Sequence, residues 1–226
     1  MTFAICSFFI YQAPKLYVTN DPYSYFRSDR TLIQNATQLQ KDLAGVKVFF
    51  VVLEAEQYRA FSHPDNLRRL ERLQEFIASQ EIFDSTTSIV DHLKLVNREF
   101  HGGEADQFVV PRNRELVSQF LLFFHRRDVQ AYLSNDGRRA NILVRHNVSD
   151  SRTLNPHIDE LKEAATRIAG GDIRAYVVGE NLMINAAAET LIFGQSRSQR
   201  LADLSDIHSD VDHIYVDQRR PDRVGA

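Results

Sequence analysis

The chain has one cysteine, Cys6, in 226 residues, which excludes a disulfide framework and any zinc site built from several cysteines. Glycine (9) and proline (6) are too scarce for collagen-like or low-complexity structure. Charge of one sign is also missing. The 27 basic and 30 acidic residues leave a net charge of −3, so composition implies no general attraction to nucleic acid or to an anionic surface. No apolar run reaches the ~20 residues that cross a bilayer. The longest near the start, Phe3 to Tyr11, lacks the basic lead-in and the cleavage site of a signal peptide. It reads either as a buried terminal segment or as the stump of a membrane helix. What is present is globular: 43% hydrophobic residues, 15 of them Phe, enough for one large core or two small ones.

Periodicity divides the chain. Residues 31–43 place Leu32, Ala36, Leu39 and Leu43 on one helical face, with Gly45 where a helix-terminating glycine would sit. Residues 46–54, VKVFFVVLE, are a β-branched and aromatic run that reads as a strand covered on both faces. Pro64 opens a helix with Leu67, Leu70, Leu73 and Ile77 inward and Arg68, Arg69, Glu71, Arg72 and Glu75 outward. Residues 82–89 are extended, 91–100 helical, 101–106 a loop, 114–124 an apolar helix and 128–133 a short helix or turn. Asn135-Asp136-Gly137 is a turn and 139–145 a second strong strand. Asn155 and Pro156 are expected to start a helix with Ile158, Leu161, Ala165 and Ile168 buried, ended by Gly170-Gly171. Residues 173–178 form a strand, and 181–193 are apolar and mixed. The order is strand–helix–strand, a helical insert over 91–134, then strand–helix–strand. That is the split βαβ, or ferredoxin-like, plan in the α+β class.

No chemistry-bearing constellation stands out. His208, Asp210, Asp212 and His213 are close in sequence but sit in a segment without periodicity, which offers no rigid frame for a metal. His125 ends an apolar helix beside Arg126 and Arg127, as a cation at a helix C-terminus would. His92, His101, His146 and His157 read as surface or structural residues. Ser85 to Ser88 lack a nucleophile elbow and a base. Gly170-Gly171 belongs to no phosphate-binding motif. Asp21, Asp84, Asp91 and Asp136 lie at turns or helix starts. The expectation is a protein that is not an enzyme, with no catalytic residue, metal ligand or cofactor site.

A set of short motifs, in order, carries a resemblance. They are Asn20-Asp21 with Tyr25-Phe26; Gly45 before a β-run; Pro64 with Leu67; and Ser88-Ile89 with Asp91, Lys94 and Asn97. Then come Pro111; Ser118-Gln119-Phe120-Leu121; Asn135-Asp136; Gly179; and Phe193-Gly194-Gln195. Over residues 1–199 this order resembles the extracytoplasmic loops of resistance–nodulation–division (RND) exporters, nearest the MMPL-like and Patched-like group. Within that group it is most similar to the second large loop, between the seventh and eighth membrane helices. The resemblance implies a periplasmic porter domain built from ferredoxin-like subdomains, in a bacterial inner-membrane transporter that exports lipids or other hydrophobic compounds on proton motive force. The proton-relay carboxylates of that family sit in membrane helices, so none is carried over. The implied partners are the remaining transmembrane and porter segments and a hydrophobic small molecule or lipid, with no nucleic acid.

The domain expectation is a membrane-helix remnant and lead-in over 1–19, the porter-like domain over 20–199, and a polar tail over 200–226. From Arg200 onward the tail has six Asp and four Arg but no Glu or Lys. The tail reads either as a disordered polar segment or as a frameshifted membrane helix, since with suitable codons a one-base shift turns its Asp and His codons into apolar ones. The chain is expected to be a fragment unable to transport alone. The insert segment Phe120, Leu121, Phe123 and Phe124 is the expected surface for a hydrophobic substrate or partner. Two alternatives stay open: a free-standing ferredoxin-like module that binds a ligand or protein, and an uncharacterised enzyme.

Overall fold

The computed structural model describes residues 45–180, with single positions between 31 and 39 and between 182 and 190. The chain divides into two units, and the unit described here is Thr19–Met183. The expected helix over 31–43 falls mostly outside the described residues. The 200–226 tail and the Phe3 to Tyr11 segment fall wholly outside them.

Among the described residues four strands form one sheet: β1 (Lys47–Ala55), β2 (Ser85–Ser88), β3 (Arg139–His146) and β4 (Ile173–Val178), in the order β2-β3-β1-β4. Every neighbouring pair is antiparallel, with Val51 opposite Ile142 and Val177, and Thr87 opposite Leu143. The alternation of side chains across a strand sorts the two faces. Phe49, Val51, Leu53, Ala140, Ile142 and Val144 form the buried face. On the other face of β1 only Val52 is buried, while Val48, Phe50 and Glu54 are half-buried. The run 46–54 is therefore fully covered on one face, not on two.

Helix α1 (Pro64–Ala78) has Pro64 in its first turn and buries Leu67, Leu70, Leu73 and Ile77 completely. Helix α2 (Ile89–Phe100) begins two residues before the expected start, because Ser88 and Asp91 cap it reciprocally. The extended stretch before it is correspondingly cut to the four residues of β2. Helix α3 (Arg114–Leu121) stops three residues short of Phe124, and a single turn, α4 (Arg126–Val129), follows.

Helix α5 (Ser151–Ala169) differs most from expectation. Its cap is Asp150, which accepts from the Arg152 backbone N–H, and Pro156 lies inside it, so Asn155 is not the cap. The earlier start places Leu154 one turn ahead of Ile158, and Leu154 is 1% exposed. Burying that side chain, at roughly 1.5–3 kcal/mol, offsets the lost Pro156 hydrogen bond. Gly170 ends the helix at φ 80°. Among the described residues no helix is long and apolar enough to cross a membrane.

Candidate functional site

The helical insert lies between β2 and β3, and its base is built from polar residues that the sequence marked. The Ser88 hydroxyl accepts from the Val90 N–H at 3.1 Å, and the Asp91 carboxylate accepts from the Ser88 N–H at 2.8 Å. Gln74 of α1 braces both: its amide donates to Asp91 at 2.8 Å and its oxygen accepts from the Ser88 hydroxyl at 2.6 Å. Lys94 pairs with Glu71 at 2.7 Å, both largely buried, and its ammonium sits 4.7 Å from the Phe108 ring centroid. Asn97, 3% exposed, donates to the backbone oxygens of Gln107 at 2.8 Å and Val109 at 3.3 Å. The residues Ser88, Asp91, Lys94 and Asn97 thus fix α2 and the loop after it in place.

On that base stands an aromatic tip. Asn113 caps α3 by accepting from the Leu116 N–H at 2.8 Å. Phe120, 1% exposed, is anchored in the core, with the Phe100 ring 5.5 Å and the Phe123 ring 6.4 Å away. Leu121 is half-buried against the core, and Phe124 turns back onto His92, 5.9 Å between rings. Leu122 and Phe123 point outward, 83% and 67% exposed, and Phe100, whose ring meets Phe120, is exposed too. Of the expected surface residues, then, Phe123 is outside, Phe120 is inside, and Leu121 and Phe124 are between. His125 does not end the apolar helix; it is the N-cap of α4. Arg126 and Arg127 behind it are exposed and make no salt bridge among the described residues.

A second feature lies on the open face of the sheet. A shallow cavity of about 460 Å³ is floored by Val52, Leu133 and Val178 and rimmed by Gln130, Asn135, Arg139, Asn141 and Tyr176. Its size falls in the range of small-molecule pockets. At its edge the Ser134 hydroxyl donates to Asp136 at 2.6 Å, which holds that carboxyl below the ordinary carboxylate range.

The histidines have local roles. His101 Nδ1 lies 2.7 Å from the Asn97 oxygen, and His157 Nδ1 lies 2.9 Å from Gln80 Oε1. His146 is 1% exposed, and neither ring nitrogen has a hydrogen-bond partner of normal geometry. Burial, and then the Lys47 charge, push its pKa down to about 4, so it is neutral at pH 7. Ser85 to Ser88 are strand and cap residues. Gly170-Gly171 is a helix end. Among the described residues no group of three or more His, Cys, Asp or Glu is placed to hold a metal. The His208 to His213 run lies outside the described residues.

Comparison with protein-family models found no match, and neither did comparison with curated proteins.

Sequence reasoning missed Leu122 and Phe100 as surface residues, and missed the cavity. The first had a signal. Five consecutive apolar residues, 120–124, cannot share one helical face at 100° per residue, so some had to point outward. The cavity had none, because its lining comes from three separate parts of the chain.

Proposed function

We propose that the chain is an extracytoplasmic, porter-type domain of an RND exporter of the MMPL-like kind, with a ferredoxin-like sheet. The observation that supports its fold is the sheet order, while the exporter assignment rests on the order of motifs along the sequence. Since β3 is antiparallel to both β1 and β2, those two run the same way with β3 between them. By the same argument β3 and β4 run the same way with β1 between them. Each pair is joined through a helix, α1 or α5. Two interleaved split βαβ units make the ferredoxin-like plan that the RND resemblance implies.

In this reading the domain's contribution is passive. It lines part of a path for a lipid or other hydrophobic compound and rocks against neighbouring porter segments, while membrane helices elsewhere carry protons. Leu122, Phe123 and Phe100 offer apolar surface, and Phe120, Leu121 and Phe124 hold it rigid. No catalytic residue, metal or cofactor is assigned.

The test is the side of the membrane. A Glu163→Cys variant in a Cys6→Ser background, at an exposed position of α5 away from the aromatic tip, expressed with its genomic neighbours in bacterial cells, should react with a membrane-impermeant maleimide applied to intact spheroplasts. Labelling only after lysis contradicts the reading.

A second reading, a free-standing ligand- or protein-binding module, is favoured by one observation, the 460 Å³ cavity with Arg139 at its rim. Solubility and monodispersity without detergent would favour it.

A further inference from the structure

We propose that the Leu122–Phe123 tip and the Arg126–Arg127 pair behind it dock on an anionic lipid bilayer. This rests on reading the insert as the apolar working surface, and adds what that surface meets.

Three observations carry it. First, the apolar pair protrudes at the turn between α3 and α4, at 83% and 67% exposure, while Phe120 beneath it is fixed in the core. The tip enters an interface without unfolding anything. Second, the charge next to it is net positive. Residues 122–130 hold Arg126, Arg127 and a single acid, Asp128, and neither arginine makes a salt bridge among the described residues. Apolar side chains beside unpaired cations match the acyl boundary and phosphate layer of an anionic leaflet. Third, the apolar tip is small, a few side chains at one turn. A bilayer needs only that a few apolar groups enter it.

The experiment is vesicle sedimentation of the full chain, on phosphatidylcholine vesicles with or without one-third phosphatidylglycerol, at low and high salt. The parent should partition to the anionic vesicles and lose most of that preference at high salt. Arg126→Gln with Arg127→Gln should lower partitioning about 25-fold, at roughly fivefold per arginine. Leu122→Ser with Phe123→Ser should lower it on both vesicle types. All four positions are exposed, and an unchanged circular dichroism spectrum confirms folding. The proposal is overturned if both double variants bind as the parent does, since binding then comes from elsewhere in the chain. It is overturned equally if neutral vesicles bind as well as anionic ones. It also fails if the parent self-associates in size-exclusion chromatography and Phe123→Ser abolishes that, which would make the occupant a second copy. None of these outcomes changes which side of the membrane labels position 163 on α5, so the exporter reading stands or falls separately.

Discussion

Gly179 lies so close to Phe49 that a Cβ on the glycine would stand 2.7 Å from the Phe49 Cβ. Phe49 is fully buried in β1, between the Phe83 ring at 5.4 Å and the His146 ring at 5.6 Å. The chain can leave β4 over this point only because residue 179 has no side chain. Gly179→Ala forces two strands apart and should cost about 1–3 kcal/mol in urea unfolding. An unchanged midpoint would show that this end of β4 is loosely held.

The aromatic tip divides into anchor and surface, and stability separates the two. Phe120→Ala empties a core site and should cost about 3–5 kcal/mol. Phe123→Ala should stay within about 0.5 kcal/mol of the parent, because the ring is 67% exposed. Equal losses at both positions would contradict the division.

His146 makes stability depend on pH. Its folded pKa, about 4, lies below the ordinary 6.5, so the unfolded chain binds the extra proton between those values. The contribution is fully present above pH 6.5 and is lost as pH falls toward 4. The full loss is on the order of 3 kcal/mol from this one group. His146→Leu should flatten that part of the profile, measured as unfolding free energy from pH 7 to pH 4. A parallel profile would mean that other groups set the acid limit.

Asn97 holds the 104–110 loop to α2 through two backbone carbonyls. Asn97→Ala leaves them unsatisfied at a cost of about 1–3 kcal/mol. The loss should be visible as faster amide exchange over residues 104–110, with α1 unaffected. Uniform acceleration across the domain would make Asn97 a general core residue.

Elements with a strong period were readable in advance. The α1 stripe of Leu67, Leu70, Leu73 and Ile77 is fully buried, and β3 and β4 lie where β-branched residues cluster. Boundaries set by competing caps were not. Asp150 and Asn155 both suit a helix start, and the burial of Leu154, a tertiary event, selects the earlier one. Gly45, expected to end a helix that lies mostly outside the described residues, has φ +95°, and the 2.7 Å between its would-be Cβ and the His146 backbone nitrogen makes it a point of close chain approach as well. At the tip, a continuous apolar run has no internal period, so which of Phe120 to Phe124 faces outward is decided by where α3 ends. The cavity joins Val52, the 130–141 hairpin and β4, which only the sheet order brings together.

The central claim, a porter-type domain of an exporter, is tested most directly by the DNA on both sides of this reading frame, translated in all three frames. The account predicts apolar spans of about 20 residues next to codon 1 and after codon 199 in some frame. Flanks that encode nothing membrane-like in any frame would contradict it, and the free-standing binding module would take its place.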